Sequence, residues 1–128
     1  MEHDYLIDTN VIIDNFGNKL PQAAKDFLYD LDITVSAVTK IEVLGWLNAT
    51  KEQLNPLYAF MELATILPMD EAVIDKTVAI RQTKKIALGD AIIAATAQFY
   101  DFTIVTNNER DFNRVTGLKI LKSFQNMI

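Results

Sequence analysis

Residues 89 to 108 read Gly89-Asp90-Ala91-Ile92-Ile93-Ala94-Ala95-Thr96-Ala97-Gln98-Phe99-Tyr100-Asp101-Phe102-Thr103-Ile104-Val105-Thr106-Asn107-Asn108. From Ala91 to Tyr100 the residues are apolar nearly all round a helical wheel, which predicts a central, buried helix. Thr103-Ile104-Val105 is too short for a helix and rich in β-branched residues. It predicts a buried strand that runs into the polar loop Thr106-Asn107-Asn108.

The same alternation extends in both directions. Tyr5-Leu6-Ile7, Ile33-Thr34-Val35 and Thr65-Ile66-Leu67 read as short apolar strands, and Lys119-Ile120-Leu121 as a last strand at the surface. Helical spacing is expected over Val11–Phe16, from Pro21 to Leu31, over Thr39–Asn48, from Pro56 to Ala64, and from an Asp70 cap through Lys85. Asn108 is expected to cap one short helical turn to Arg114. With four Gly, three Pro and no Asn-Gly hairpin signal, the chain predicts an α/β fold with a mainly parallel sheet. A length of 128 residues suits a single domain, 1–128.

Seventeen Asp and Glu stand against twelve Lys and Arg, a formal net charge of −5. That balance excludes attachment to nucleic acid by bulk positive charge, though not a local basic face. Residues 1–80 carry a net charge of −8 and residues 81–128 a net of +3. The absence of cysteine excludes disulfides, thiolate metal sites and thiol nucleophiles. The one histidine, His3, reads as a surface residue. The start MEHDYLID does not read as a secretion signal, and no run is long enough for a membrane helix. The expected setting is the cytoplasm, with no membrane partner.

Four acids sit among apolar residues. Asp8 lies between Leu6-Ile7 and Val11-Ile12-Ile13, Glu42 between Ile41 and Val43, and Asp90 between Leu88-Gly89 and Ala91-Ile92-Ile93. Asp111 precedes Phe112, just beyond a predicted strand. Removing a carboxylate from water costs several kcal/mol unless it is compensated. No Lys or Arg lies within five residues of Asp8, and Lys40 is two positions from Glu42, so the two point apart on a helix. A shared bound cation accounts for all four. They fall near the carboxyl ends of the strands, where open parallel sheets collect ligands. Oxygen donors without His or Cys select Mg²⁺ or Mn²⁺, ions that activate water and clamp phosphoryl oxygens. The expected chemistry is metal-assisted phosphodiester hydrolysis.

The run Leu6-Ile7-Asp8-Thr9-Asn10-Val11-Ile12-Ile13-Asp14 resembles the opening motif of the PIN domain. Thr39-Lys40-Ile41-Glu42-Val43-Leu44-Gly45, Gly89 to Ala97, and Val105 to Phe112 resemble the remaining three motifs, in order. The resemblance spans Tyr5 to about Leu121 and is greatest to VapC-type toxins of toxin–antitoxin modules. It implies a three-layer, Rossmann-like α/β/α sandwich with five parallel strands in the order 3-2-1-4-5. It implies a Mg²⁺- or Mn²⁺-dependent endoribonuclease acting on RNA, a homodimer, silenced by a cognate antitoxin. Asp8, Glu42 and Asp90 match three metal-site acids of the family. At the fourth position many relatives carry Asp where this chain has Asn108, and Asp111 takes the role here by resemblance to an Asn-containing subgroup. Thr106 is expected to orient a ligand or the attacking water, with Thr9, Asn10 and Asn108 as supporting residues. Relatives often have Pro where this chain has Gly89.

Plainer readings stand beside these. Asp8 fits a turn, Thr39-x-x-Glu42 fits a capping box, Asp90 fits the positive end of a helix, and Asn108-x-x-Asp111 fits a cap. Asp14 reads as solvated, and Trp46, Leu47, Tyr58, Phe60 and Met61 as core or, failing that, a groove for a second copy or an antitoxin. Arg81, Lys84, Lys85, Arg110 and Arg114 fit either a solvated face or a grip on RNA phosphates. Two other functions are open: a receiver-like phosphoacceptor domain, which needs an acceptor such as Asp70 after the third strand, and a catalytically silent PIN-fold binding module.

Overall fold

A computed structural model describes residues 4–128; His3 lies outside the described residues. The first strand, β1 (Tyr5–Ile7), leads through Asp8 into α1 (Thr9–Phe16) and α2 (Gln22–Tyr29). Then come β2 (Thr34–Ser36), α3 (Ala37–Leu44), α4 (Lys51–Leu63), β3 (Thr65–Leu67), α5 (Glu71–Thr83), α6 (Leu88–Tyr100), β4 (Thr103–Val105), α7 (Glu109–Phe112) and α8 (Lys122–Gln125). The four strands are parallel, in the order β3-β2-β1-β4.

The anticipated fifth strand is reduced to one parallel bridge, Ile104 to Ile120. Ile104 N–H donates to the Lys119 carbonyl and Leu121 N–H to that of Ile104, both at 2.9 Å. It occupies the outer place expected of strand five, without the length of a strand.

Alternation along the strands builds a core on each face of the sheet. Leu6 and Ile104 point to one side, among Val73, Ile80, Ile93 and Phe112. Ile7, Val35 and Val105 point to the other, among Val11, Leu28, Val43 and Leu57. Ala91 to Ala97 are all buried, as the apolar wheel predicts.

Several element ends differ from the sequence expectation. The helix α3 starts at Ala37, two residues early, because Ser36 caps it: the Ser36 Oγ accepts from Thr39 N–H at 3.2 Å. This overturns the Thr39–Glu42 capping box and frees the Glu42 side chain for other contacts. Gly45 then ends the helix, leaving Leu47 93% exposed in the following loop rather than in the core. Tyr58 is also exposed, whereas Met61 is buried and Trp46 and Phe60 are partly so. α4 starts at Lys51, not Pro56, behind a Thr50–Gln53 capping box, and carries Pro56 inside it on an exposed side. α1 begins at Thr9 instead of Val11, so Asp8 is its N-cap residue. The short α8 was not expected.

Replacing Ser36, fully buried, with Ala should remove the cap and cost about 1–2 kcal/mol, measured by urea unfolding.

Candidate active site

β1 is central, with β2 on one side and β4 on the other. The chain turns away in opposite directions from the carboxyl ends of β1 and β4, which opens a crevice there. Asp8 stands at that point. Its N–H continues the sheet by donating to the Val105 carbonyl at 2.9 Å, so the side chain is fixed at the sheet end and only 2% exposed. Thr106, at the equivalent end of β4 and fully buried, donates from Oγ1 to Asp8 Oδ2 at 2.8 Å. The Asn108 N–H in turn donates to Thr106 Oγ1 at 2.9 Å, which directs the threonine proton toward Asp8. Thr106 therefore orients a carboxylate.

Burial pushes the Asp8 carboxyl up to about 7, against the stabilising Thr106 bond, and the nearby charges of Asp90 and Glu42 push the same way. Asp90, half-buried in the first turn of α6, is raised as well, by desolvation first and then by Asp111 and Glu42. Asp90 thus lies within electrostatic reach of each of the other three acids. Among the described residues no Lys or Arg is ion-paired with any of them; the ion pairs there are Lys119–Asp101 and Lys122–Glu109.

Glu42 is exposed on α3, yet its carboxylate is held. Thr9 Oγ1 donates to Glu42 Oε1 at 2.7 Å and lies 3.0 Å from Thr39 Oγ1, which is 3.1 Å from Ser36 Oγ. The other carboxylate oxygen rests against Gly89: a Cβ built there would stand 2.7 Å from Glu42 Oε2. The buried hydroxyl of Ser36, which the sequence reading did not single out, and that of Thr39, read there only as a helix cap, stand beside this site. Their signal was the phase of helix α3, which was set two residues late.

Asn108 Nδ2 donates to Asp111 Oδ2, so the two candidates for the fourth position are neighbours, with the amide serving the acid. Asn10 is exposed on α1. Asp14 is half-buried and accepts from Asn107 Nδ2, tying α1 to the loop after β4, rather than being simply solvated. Asp70 does not stand ready as a phosphoacceptor. One oxygen caps α5 by accepting from Val73 N–H at 3.1 Å and the other accepts from Tyr100 at 2.9 Å.

Lys84 and Lys85 lie in the link between α5 and α6, shortly before Asp90, and line a groove of about 550 Å³ with Arg81. Arg114 donates to the Lys85 carbonyl at 3.0 Å, which joins this link to the segment bearing Arg110 and Asp111. Arg81, Lys84, Lys85 and Arg114 are thus gathered on one stretch of surface.

The donor set suits a hard divalent cation: carboxylates only, one deeply buried, and none ion-paired with a Lys or Arg among the described residues. The acids are not gathered to ligand distance, and among the described residues no three of them form a closed cluster. Uncompensated like charges favour such spreading.

The sequence pattern of the PIN domain matches residues 5–118. The "tRNA(fMet)-specific endonuclease VapC" of Shigella flexneri is 31% identical over 126 residues, covering 90% of this chain and 94% of that protein. A solved toxin–antitoxin complex from Klebsiella pneumoniae contains a chain 30% identical, with a TM-score of 0.74 over 89% of this chain and 94% of its own. The DNA-bound VapBC of Salmonella typhimurium superposes at a TM-score of 0.81 with 24% identity, over 94% of this chain and 98% of its own, a likeness of fold. The chain belongs to the PIN domain family, and its relatives within it are of the VapC type. Among the described residues no helix is long and apolar enough to cross a membrane.

Proposed function

We propose that this protein is a Mg²⁺- or Mn²⁺-dependent endoribonuclease, the toxin of a toxin–antitoxin module. The observation that carries the reading is Asp8: a buried carboxylate at the junction of β1 and β4, facing Asp90 and Glu42, with no basic partner among the described residues. The VapC-type relatives support the same reading.

Asp8, Glu42, Asp90 and Asp111 would hold one or two ions. When bound, such an ion activates water and neutralises charge on the phosphoryl oxygens. Asp8 is oriented by Thr106, Glu42 by Thr9, and Asp111 by Asn108. Arg110, Arg114, Lys84 and Lys85 would form a basic rim for the RNA phosphates, and the Arg114 bond to the Lys85 carbonyl ties together the two segments that carry them. Ions held by the four acids would offset the negative field that otherwise repels RNA.

By analogy with the named relatives, the partners are RNA and a cognate antitoxin; the motif resemblance adds a second copy of the chain and a cytoplasmic setting. The Shigella relative makes tRNA(fMet) the first RNA to test. Antitoxin-free protein should cut RNA with Mn²⁺ or Mg²⁺ and stop on chelation. Intact RNA with both ions would overturn the proposal.

The basic rim gives a separate expectation. Lys85→Ala with Arg110→Ala should weaken binding of an uncleavable RNA across sequences. The slope of log affinity against log salt should fall by about 0.7 for each phosphate no longer neutralised, read by fluorescence anisotropy.

A further inference from the structure

The Glu42 carboxylate projects from an exposed position on α3, so something must hold it toward the crevice. Both of its oxygens are engaged. Thr9, at the start of α1, donates to Oε1 at 2.7 Å from a site only 6% exposed. Oε2 lies over Gly89, in the first turn of α6, within the space any side chain at that position would fill. A Cβ there would come within 2.7 Å of Oε2 and 3.4 Å of the carboxyl carbon, and its three nearest neighbours are all atoms of the Glu42 carboxyl group. The glycine therefore relieves no backbone crowding. Its missing side chain makes room for a carboxylate.

Helix propensity points the same way. Glycine is the poorest helix former other than proline, and nothing in the conformation of Gly89 demands it: it is not among the residues of positive φ. Its place in the opening turn of the most buried helix is explained by what lies over it.

We propose that Thr9 and Gly89 are positioning residues that seat the Glu42 carboxylate from opposite sides, one by a hydrogen bond and the other by an absent side chain. The inference rests on the reading of Glu42 as a cation ligand. It extends that reading to two residues that carry no carboxylate and contact that of Glu42. Ser36 and Thr39 stand behind Thr9, so its hydroxyl is fixed within a short buried chain.

The test uses the full chain and four proteins: wild type, Gly89→Ala, Thr9→Val and Thr9→Ser. Each is melted without metal and titrated with Mn²⁺ by calorimetry. Gly89→Ala should melt at or above the wild-type temperature, because alanine suits a helix better and the atoms it displaces are the end of a flexible side chain. Its Mn²⁺ affinity should nevertheless fall about tenfold or more, the range for residues that orient metal ligands. Thr9→Val should lose affinity to a similar extent, and Thr9→Ser, which keeps the hydroxyl, should recover most of it. A purely structural role predicts affinity that follows stability, the opposite of the Gly89→Ala expectation. Equal Mn²⁺ affinity in Gly89→Ala and wild type would overturn the seat. If Gly89→Ala does not fold, equal affinities of Thr9→Val and Thr9→Ser overturn it instead. Absence of Mn²⁺ binding in the wild type itself would overturn the metal reading, and the seat with it.

Discussion

Asp8→Asn is expected to reduce RNA cleavage by about a thousandfold and, in the same protein, to stabilise the metal-free fold at pH 8. The loss follows from removing the central charge of the site, on the scale seen when one preorganised electrostatic partner of a transition state is deleted. The gain follows from linkage. The Asp8 carboxyl titrates at about 7 in the fold against 3.8 in the unfolded chain, so between those values the folded state binds more protons. Stability must then fall as pH rises from about 4 to 7, and the full penalty is present above 7. A difference of about three pH units corresponds to roughly 4 kcal/mol. Asparagine carries no charge to desolvate and keeps an oxygen for the Thr106 hydroxyl. Its stabilisation is therefore bounded by about that figure at pH 8 and vanishes near pH 4. Asp90, shifted in the same direction, steepens the slope that remains. Urea unfolding with chelator at pH 4.5 and pH 8 reads the effect. An Asp8→Asn protein less stable than wild type at pH 8 would show that Asp8 is satisfied without a cation, and would remove the main support for a metal site.

The same residue shows how far the sequence could be read. Strands β1 and β4 stand where short apolar runs end in polar residues, because burial on both faces favours that pattern, whereas β3, at the sheet edge, stands at its β-branched run ended by Pro68. Where two signals competed, the local reading lost. Ser36 and Thr39 are both competent caps three residues apart, and the end of β2 at Ser36 places the helix start there. The Thr50–Gln53 capping box was present in the sequence, but Pro56 drew the helix start toward itself. Lys119-Ile120-Leu121 has the composition of a strand and pairs through one residue only. For the site, misplaced charge among apolar residues singled out Asp8, Glu42, Asp90 and Asp111, and the resemblance assigned all four to a metal site. What no local pattern could reveal were contacts across 33 or 98 residues, such as Thr9 with Glu42 and Thr106 with Asp8. Those depend on how β1, β4 and α3 meet, and their hydroxyls look like ordinary threonines until the fold brings them together.

Millimolar Mn²⁺ should raise the melting temperature of the wild type and leave that of Asp8→Asn almost unchanged. An ion that binds only the folded chain stabilises it by about 4 kcal/mol at a thousand times its dissociation constant. The gain should depend on pH in the sense opposite to that of the metal-free stability. The ion requires ionised carboxylates, so it must displace the proton that Asp8 holds up to about pH 7. With that midpoint, Asp8 is ionised in roughly a tenth of molecules at pH 6 and nine-tenths at pH 8, which weakens apparent Mn²⁺ affinity about tenfold at the lower pH. Metal-free protein therefore loses stability from pH 6 to pH 8, whereas Mn²⁺ binds more tightly over the same interval and returns what burial of Asp8 removes. Melting curves at pH 6 and pH 8, with Mn²⁺ or with chelator, separate the two trends. A melting temperature indifferent to Mn²⁺ at pH 8 would mean that the four carboxylates do not act as one site. A rise of equal size at both pH values would place the ion on acids other than Asp8.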